Sequence, residues 1–207
     1  MYICPMRGIM KFNSFIKRYD IAGSVVLLEG KRNVPERELP QLEALGRKLA
    51  SETKLIKFRS GNASGADYLF SSGVASVDAS RLEVIKPYSA HRHAAALTSK
   101  QYSLDDIDEK GIERLINETR INQRQSGLMK YFSNNRGGTL AAKARYILRD
   151  TLKVTGAEDV IAKASFAIFY DDLEKPESGG TGHTMIVCRK CDVPFIDQKI
   201  WMKWLKE

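Results

Sequence analysis

Residues 178–184 read Ser-Gly-Gly-Thr-Gly-His-Thr, and residue types in that order suit the holding of an anion. Gly179, Gly180 and Gly182 would let a phosphate approach the backbone, while Thr181 and Thr184 would add hydroxyl donors. The run lies between an apolar stretch that reads as a strand and a stretch from Met185 that reads as a helix. A helix start brings unpaired N–H groups and a partial positive charge. His183 sits inside the run as a ligand contact or an acid/base. The run is not a P-loop, because no Gly-Lys-Ser/Thr closes it. It also lacks the G-x-G-x-x-G spacing of dinucleotide loops.

A second loop, residues 60–67, reads Ser-Gly-Asn-Ala-Ser-Gly-Ala-Asp and also follows a strand-like run. Ser60 and Asn62 suit helix capping. Backbone near Gly61, Gly65 and Ala66 suits contact with a nucleotide, and Asp67 falls in the first turn of the next helix. Gly30, Lys31 and Arg32 place cations after an earlier strand. From Arg114 to Arg149 the chain carries eight Lys or Arg against one acid, Glu118. So local an excess marks an anion-facing surface, and Arg145 and Arg149, four apart, would share a helix face. Cys188 and Cys191 lack a second ligand pair for zinc, and His91 and His93 lack nearby carboxylates. No metal and no cofactor is expected.

Elements must hold these loops at one place. Apolar, β-branched runs at 24–28, 54–58, 82–85, 164–170 and 194–196 read as strands. Three-and-four spacing of apolar residues predicts helices over 38–51, 66–77, 105–121 and 140–152, with a short one at the end around Trp201 and Trp204. Strand and helix alternate with short connections, which implies right-handed crossovers and a parallel sheet. Both glycine loops then fall at the carboxyl ends of strands, where such sheets bind ligands. Residues 88–158 show no strand-like run and read as a basic helical insertion in a single domain spanning 1–207.

The 207 residues are 43% hydrophobic and 28% charged, enough for a real core. No apolar run approaches the ~20 residues of a membrane span. Three cysteines and no apolar leader point to a reducing cytoplasm. The net charge of +8 favours phosphorylated or polyanionic partners.

Several pieces together resemble the SLOG superfamily of Rossmann-like nucleotide-binding proteins. They are Gly30-Lys31-Arg32 with Pro35, Phe58-Arg59 through Asp67, Ala144-Arg145 through Arg149-Asp150, residues 178–184, and Val193-Pro194. The superfamily includes the Lonely Guy phosphoribohydrolases and the DNA-processing protein A group, and the resemblance covers roughly 22–200. It implies an α/β, three-layer α/β/α sandwich, with a nucleotide-type ligand between the Arg59–Asp67 and Gly179–Thr184 segments. The Lonely Guy motif Pro-Gly-Gly-x-Gly-Thr-x-x-Glu ends in a glutamate. Here His183 replaces its threonine, and Met185, Ile186 and Val187 follow instead of an acid. The expectation is therefore a binder of a nucleotide or nucleotide-derived ligand. Two alternatives stand beside it: an N-glycosidic or phosphoester hydrolase using Asp67 and His183, and a nucleic-acid binder using the basic insertion. Self-association stays open.

Overall fold

The computed structural model describes residues 10–91, 97–133, 138–158 and 160–207. Its elements run α1 (Phe12–Tyr19), β1 (Val25–Gly30), α2 (Leu39–Glu52), β2 (Lys57–Ser60), α3 (Ala66–Asp78), β3 (Leu82–Lys86) and β4 (Gln101–Ser103). Then come α4 (Glu109–Arg120), α5 (Gln123–Ser126), α6 (Met129–Ser133), α7 (Thr139–Thr155), β5 (Phe166–Tyr170), α8 (Gly179–Lys190), β6 (Phe195–Ile196) and α9 (Gln198–Trp204). Six strands form one sheet in the order β4-β3-β2-β1-β5-β6, and every pairing is parallel. The chain winds outward from β1 through β2, β3 and β4, then returns to β5 on the other flank. The winding direction therefore reverses between β1 and β5, where Gly30 stands in register with Tyr170.

Alternation along the central strands explains the layers. Val26, Leu28, Phe166, Ile168 and Tyr170 point to one face, against Phe15, Leu45, Phe70, Trp201 and Trp204. Leu27, Ala167 and Phe169 point to the other, against Val154, Met185 and Cys188 of α7 and α8. Leu148 and Leu152 of α7 continue that layer over Ile85 and join Leu115 of α4. The result is a Rossmann-like α/β/α sandwich. Within it, α7 is a main part of the second helical layer.

Four boundaries differ from the sequence reading, each for a local reason. The second strand begins at Lys57, because the Asp20 carboxylate accepts from the amides of Lys54, Leu55 and Ile56 and holds them out of the ladder. The first strand runs on through Glu29 to Gly30; an acid in a strand hid its end. Residues 88–158 do contain a strand: β4 is a three-residue Gln-Tyr-Ser edge, too short and polar to give an apolar run. Finally, α8 begins at Gly179, not at Met185. Residues 178–184 are thus a cap and a first helical turn, and the connecting loop is 171–178. Residues 134–137, between α6 and α7, lie outside the described residues, as do His93 and Cys4.

A carboxylate-lined cavity at the sheet's switch point

A cavity of about 410 Å³ opens over the carboxyl ends of β1 and β5. Gly30, Lys31 and Arg32 line it from β1, Ala63 and Asp67 from the β2–α3 segment, and Ser178, Gly179, Gly180 and Thr181 from the start of α8. Lys143, Tyr146, Ile147, Arg149 and Asp150 face it from α7, and Glu29, Asp171 and Asp172 complete the wall. Its size falls within the range of small-molecule sites.

The start of α8 lies six residues earlier than the sequence reading placed it, at Gly179. The first intrahelical bond runs from Gly182 N to the Ser178 carbonyl at 3.0 Å. The amides of Gly179, Gly180 and Thr181 precede it, so no carbonyl of this helix can accept from them. No acid occupies the helix's first turn. The glycines there have different tasks. Gly179 has φ +63°, with open space where a Cβ would stand. A Cβ on Gly182 would overlap the Glu177 carbonyl, so that glycine is required by packing and not by a ligand.

Beneath the cavity lies a buried charge cluster. Lys153 Nζ stands 2.8 Å from Glu29 Oε2 and 2.9 Å from Asp150 Oδ1. Arg149 pairs with Asp150 at 2.7 Å, and its guanidinium lies 5.5 Å from the Tyr146 ring centre. Gly30 N donates to Asp67 Oδ1 at 2.9 Å, and Thr184 Oγ1 donates to Glu29 Oε1 at 2.9 Å. Burial raises the Glu29 carboxyl to about 8; Lys153 opposes the rise, and Asp150 and Asp67 add to it. Asp150 is equally buried, yet Arg149 and Lys153 outweigh that burial and hold it at about 2. Burial also raises Asp67, against the pull of Lys153 and Arg149.

The sequence-derived candidates divide accordingly. Gly30, Lys31, Arg32, Asp67, Arg149, Gly179, Gly180 and Thr181 meet at the cavity. Arg59 is fully buried elsewhere: it pairs with Glu83 at 2.6 Å and donates to the Lys153 carbonyl at 2.9 Å. Ser60 and Asn62 are buried and bonded to each other, Ser60 Oγ accepting from Asn62 N at 3.1 Å. Gly61 meets the guanidinium of Arg149, Gly65 the Arg32 carbonyl, and Ala66 N donates to Lys31 O at 3.2 Å. These residues shape the wall from behind. Arg145 does not share an anion with Arg149; it turns to Asp105 at 3.5 Å and lies over the Phe132 ring. His183 points into the interior, 3.0 Å from both Asn122 Nδ2 and Thr151 Oγ1. Burial lowers it to about 4, so it is neutral at pH 7 and its ring does not line the cavity. Gly182 and Thr184 support the turn from within.

Sequence reading missed Glu29, Lys143, Tyr146, Asp150, Asp171 and Asp172. A signal existed for the α7 group: residues 143, 146, 147 and 150 follow three-and-four spacing and so share one helix face. Asp171 and Asp172 stand directly after β5, and Glu29 directly before Gly30. Among the described residues, no group of three His, Cys, Asp or Glu is placed to hold a metal ion. Nor is any helix among them long and apolar enough to cross a membrane.

No protein-family model matches the chain, and no curated protein matches it. A solved structure of DNA processing protein A from Helicobacter pylori, described by its single-stranded DNA binding mode, is similar in fold. Its TM-score is 0.50 at 14% sequence identity, over 85% of this chain and 65% of that one. The chain therefore spans just under two thirds of that neighbour. A likeness at this identity defines a Rossmann-like α/β class and leaves ligand and activity to the site.

Proposed function

We propose that the chain binds a nucleotide or nucleotide-derived ligand in the cavity between β1, β5 and the start of α8. One observation carries the reading: the free amides at the start of α8 share a cavity with Lys31, Arg32 and Lys143. Helix start and cations together favour a phosphate group. The position supports the same reading, because open parallel sheets bind ligands where the winding reverses. The SLOG resemblance adds the expectation of a nucleotide. Thermal unfolding in the presence of mononucleotides, dinucleotides and ADP-ribose-type molecules tests it. At least one class is expected to raise the midpoint in a concentration-dependent way, because a ligand that binds only the folded state stabilises it. A panel with no shift in any class refutes the proposal.

A second reading has its own support. Arg120, Arg124 and Lys130 are exposed on the α4–α6 region, and the similar structure is described as binding single-stranded DNA. Polyanion binding through such cations weakens steeply with salt. Fluorescence anisotropy of a labelled oligonucleotide between 50 and 200 mM salt, roughly the range over which such slopes are read, tests this reading. Absence of binding at the low-salt end removes it.

A further inference from the structure

We infer that this cavity contains a subsite for a vicinal diol, formed by Asp171 and Glu29 across the β1–β5 crevice, so that its ligand is a ribonucleotide and not a deoxyribonucleotide. The inference rests on the nucleotide reading above and makes it more specific. Asp171 is the first residue past β5, and Glu29 is the last but one of β1. Asp171 is held rigidly. Its amide donates to Gln198 Oε1 at 2.9 Å, and Gln198 Nε2 donates back to its carbonyl at 2.7 Å. Its Oδ2 accepts from Glu177 N at 3.1 Å. Its Oδ1 is buried without a hydrogen-bond partner, on a side chain that forms the cavity wall and is 4% exposed.

A buried carboxylate oxygen needs a donor, and here the protein supplies none. A phosphate cannot fill the gap, because it brings acceptors and charge of the same sign. Neutral hydroxyls avoid that conflict and can donate to the unpartnered oxygen. Glu29, whose Oε1 accepts from Thr184 and whose Oε2 faces Lys153, and Asp67 line the same cavity as Asp171, and a carboxyl of Glu29 that keeps its proton can exchange hydrogen bonds with a hydroxyl. The amides of Gly179 to Thr181 belong to another wall of the same cavity. Hydroxyl acceptors and phosphate donors thus divide one site, which is the layout of a sugar phosphate.

Isothermal titration with the four ribonucleoside 5′-monophosphates, their 2′,3′-dideoxy counterparts and inorganic phosphate tests the inference. At least one ribonucleotide should bind about tenfold or more tightly than its dideoxy form, since the site's acceptors are left unpaired by the latter. Asp171→Asn would present a donor in place of an acceptor at nearly the same volume. It should bring the ratio toward one while leaving inorganic phosphate binding in place. Equal affinities for ribo and dideoxy forms in the unaltered protein overturn the diol subsite alone. A ratio that survives in both Asp171→Asn and Glu29→Gln overturns the residue assignment. Failure of every probe, inorganic phosphate included, overturns this inference, and the nucleotide reading falls with it when the wider thermal panel above is also silent.

Discussion

Glu29, Asp67 and Asp150 share only two buried cations, Arg149 and Lys153, so full ionisation would leave one unbalanced charge beneath the cavity. The proton is held within the cluster by the two carboxyls that burial raises, Glu29, to about 8, and Asp67. Stability then depends on pH with a definite sign. The folded chain holds a proton that the unfolded chain releases above 4.5, so Glu29 contributes stability below 4.5 that is lost as pH rises toward 8. His183, lowered to about 4, acts oppositely below its unfolded value of 6.5. Between pH 6.5 and 8 the Glu29 contribution outweighs that of His183, and about 1 kcal/mol of stability should disappear. Urea titrations at those two pH values check this, and Glu29→Gln should flatten the difference. Lys153→Met removes the cation shared by Glu29 and Asp150. It is expected to cost about 3–5 kcal/mol, because a buried charge loses its partner; the same titrations read it.

Elements decide which of these residues can act together, and α8 shows it best. Its first turn uses Gly182 for packing and leaves Gly179 facing open space. Gly182→Ala should therefore destabilise by about 1–3 kcal/mol through overpacking against Glu177. Gly127, at φ −64° with nothing within 4 Å of a Cβ, is the control; Gly127→Ala should be neutral or slightly stabilising in the same denaturation assay. The glycine run was legible in the sequence as a turn leading into a helix, but the helix expected from Met185 in fact begins at Gly179. The division of labour among the glycines was not legible, since only the fold brings the Glu177 carbonyl beneath Gly182. Arg59 and His183 show the same limit. Their residue types suit a ligand, but β2 sends Arg59 into Glu83, and α8 sends His183 toward Asn122 and Thr151. Conversely, Asp171 gave no signal beyond standing after a strand, and its role follows from the clamp by Gln198, 27 residues away in the chain.

At the scale of the molecule, the alternation of apolar strands and amphipathic helices was enough to read a parallel sheet with both glycine loops at one edge. The strand order, and so the crevice between β1 and β5, is a long-range property. It depends on which face each helix covers. The chain's end helps to fix that order. Trp201 Nε1 donates to the Phe169 carbonyl at 2.8 Å, and Trp204 Nε1 to the Met10 carbonyl at 2.7 Å, both rings fully buried. Trp201→Ala should cost about 3–5 kcal/mol, measured by thermal or denaturant unfolding, and loosen the β5 flank of the cavity.

A nucleotide held as proposed must place a phosphate at the start of α8. A crystal structure of the protein soaked with a ribonucleoside 5′-monophosphate measures this directly. The expected result is phosphate density within hydrogen-bond distance of the amides of Gly179, Gly180 and Thr181, with the sugar toward Asp171. Phosphate density confined to the Arg120, Arg124 and Lys130 surface, with this cavity holding only water, would contradict it.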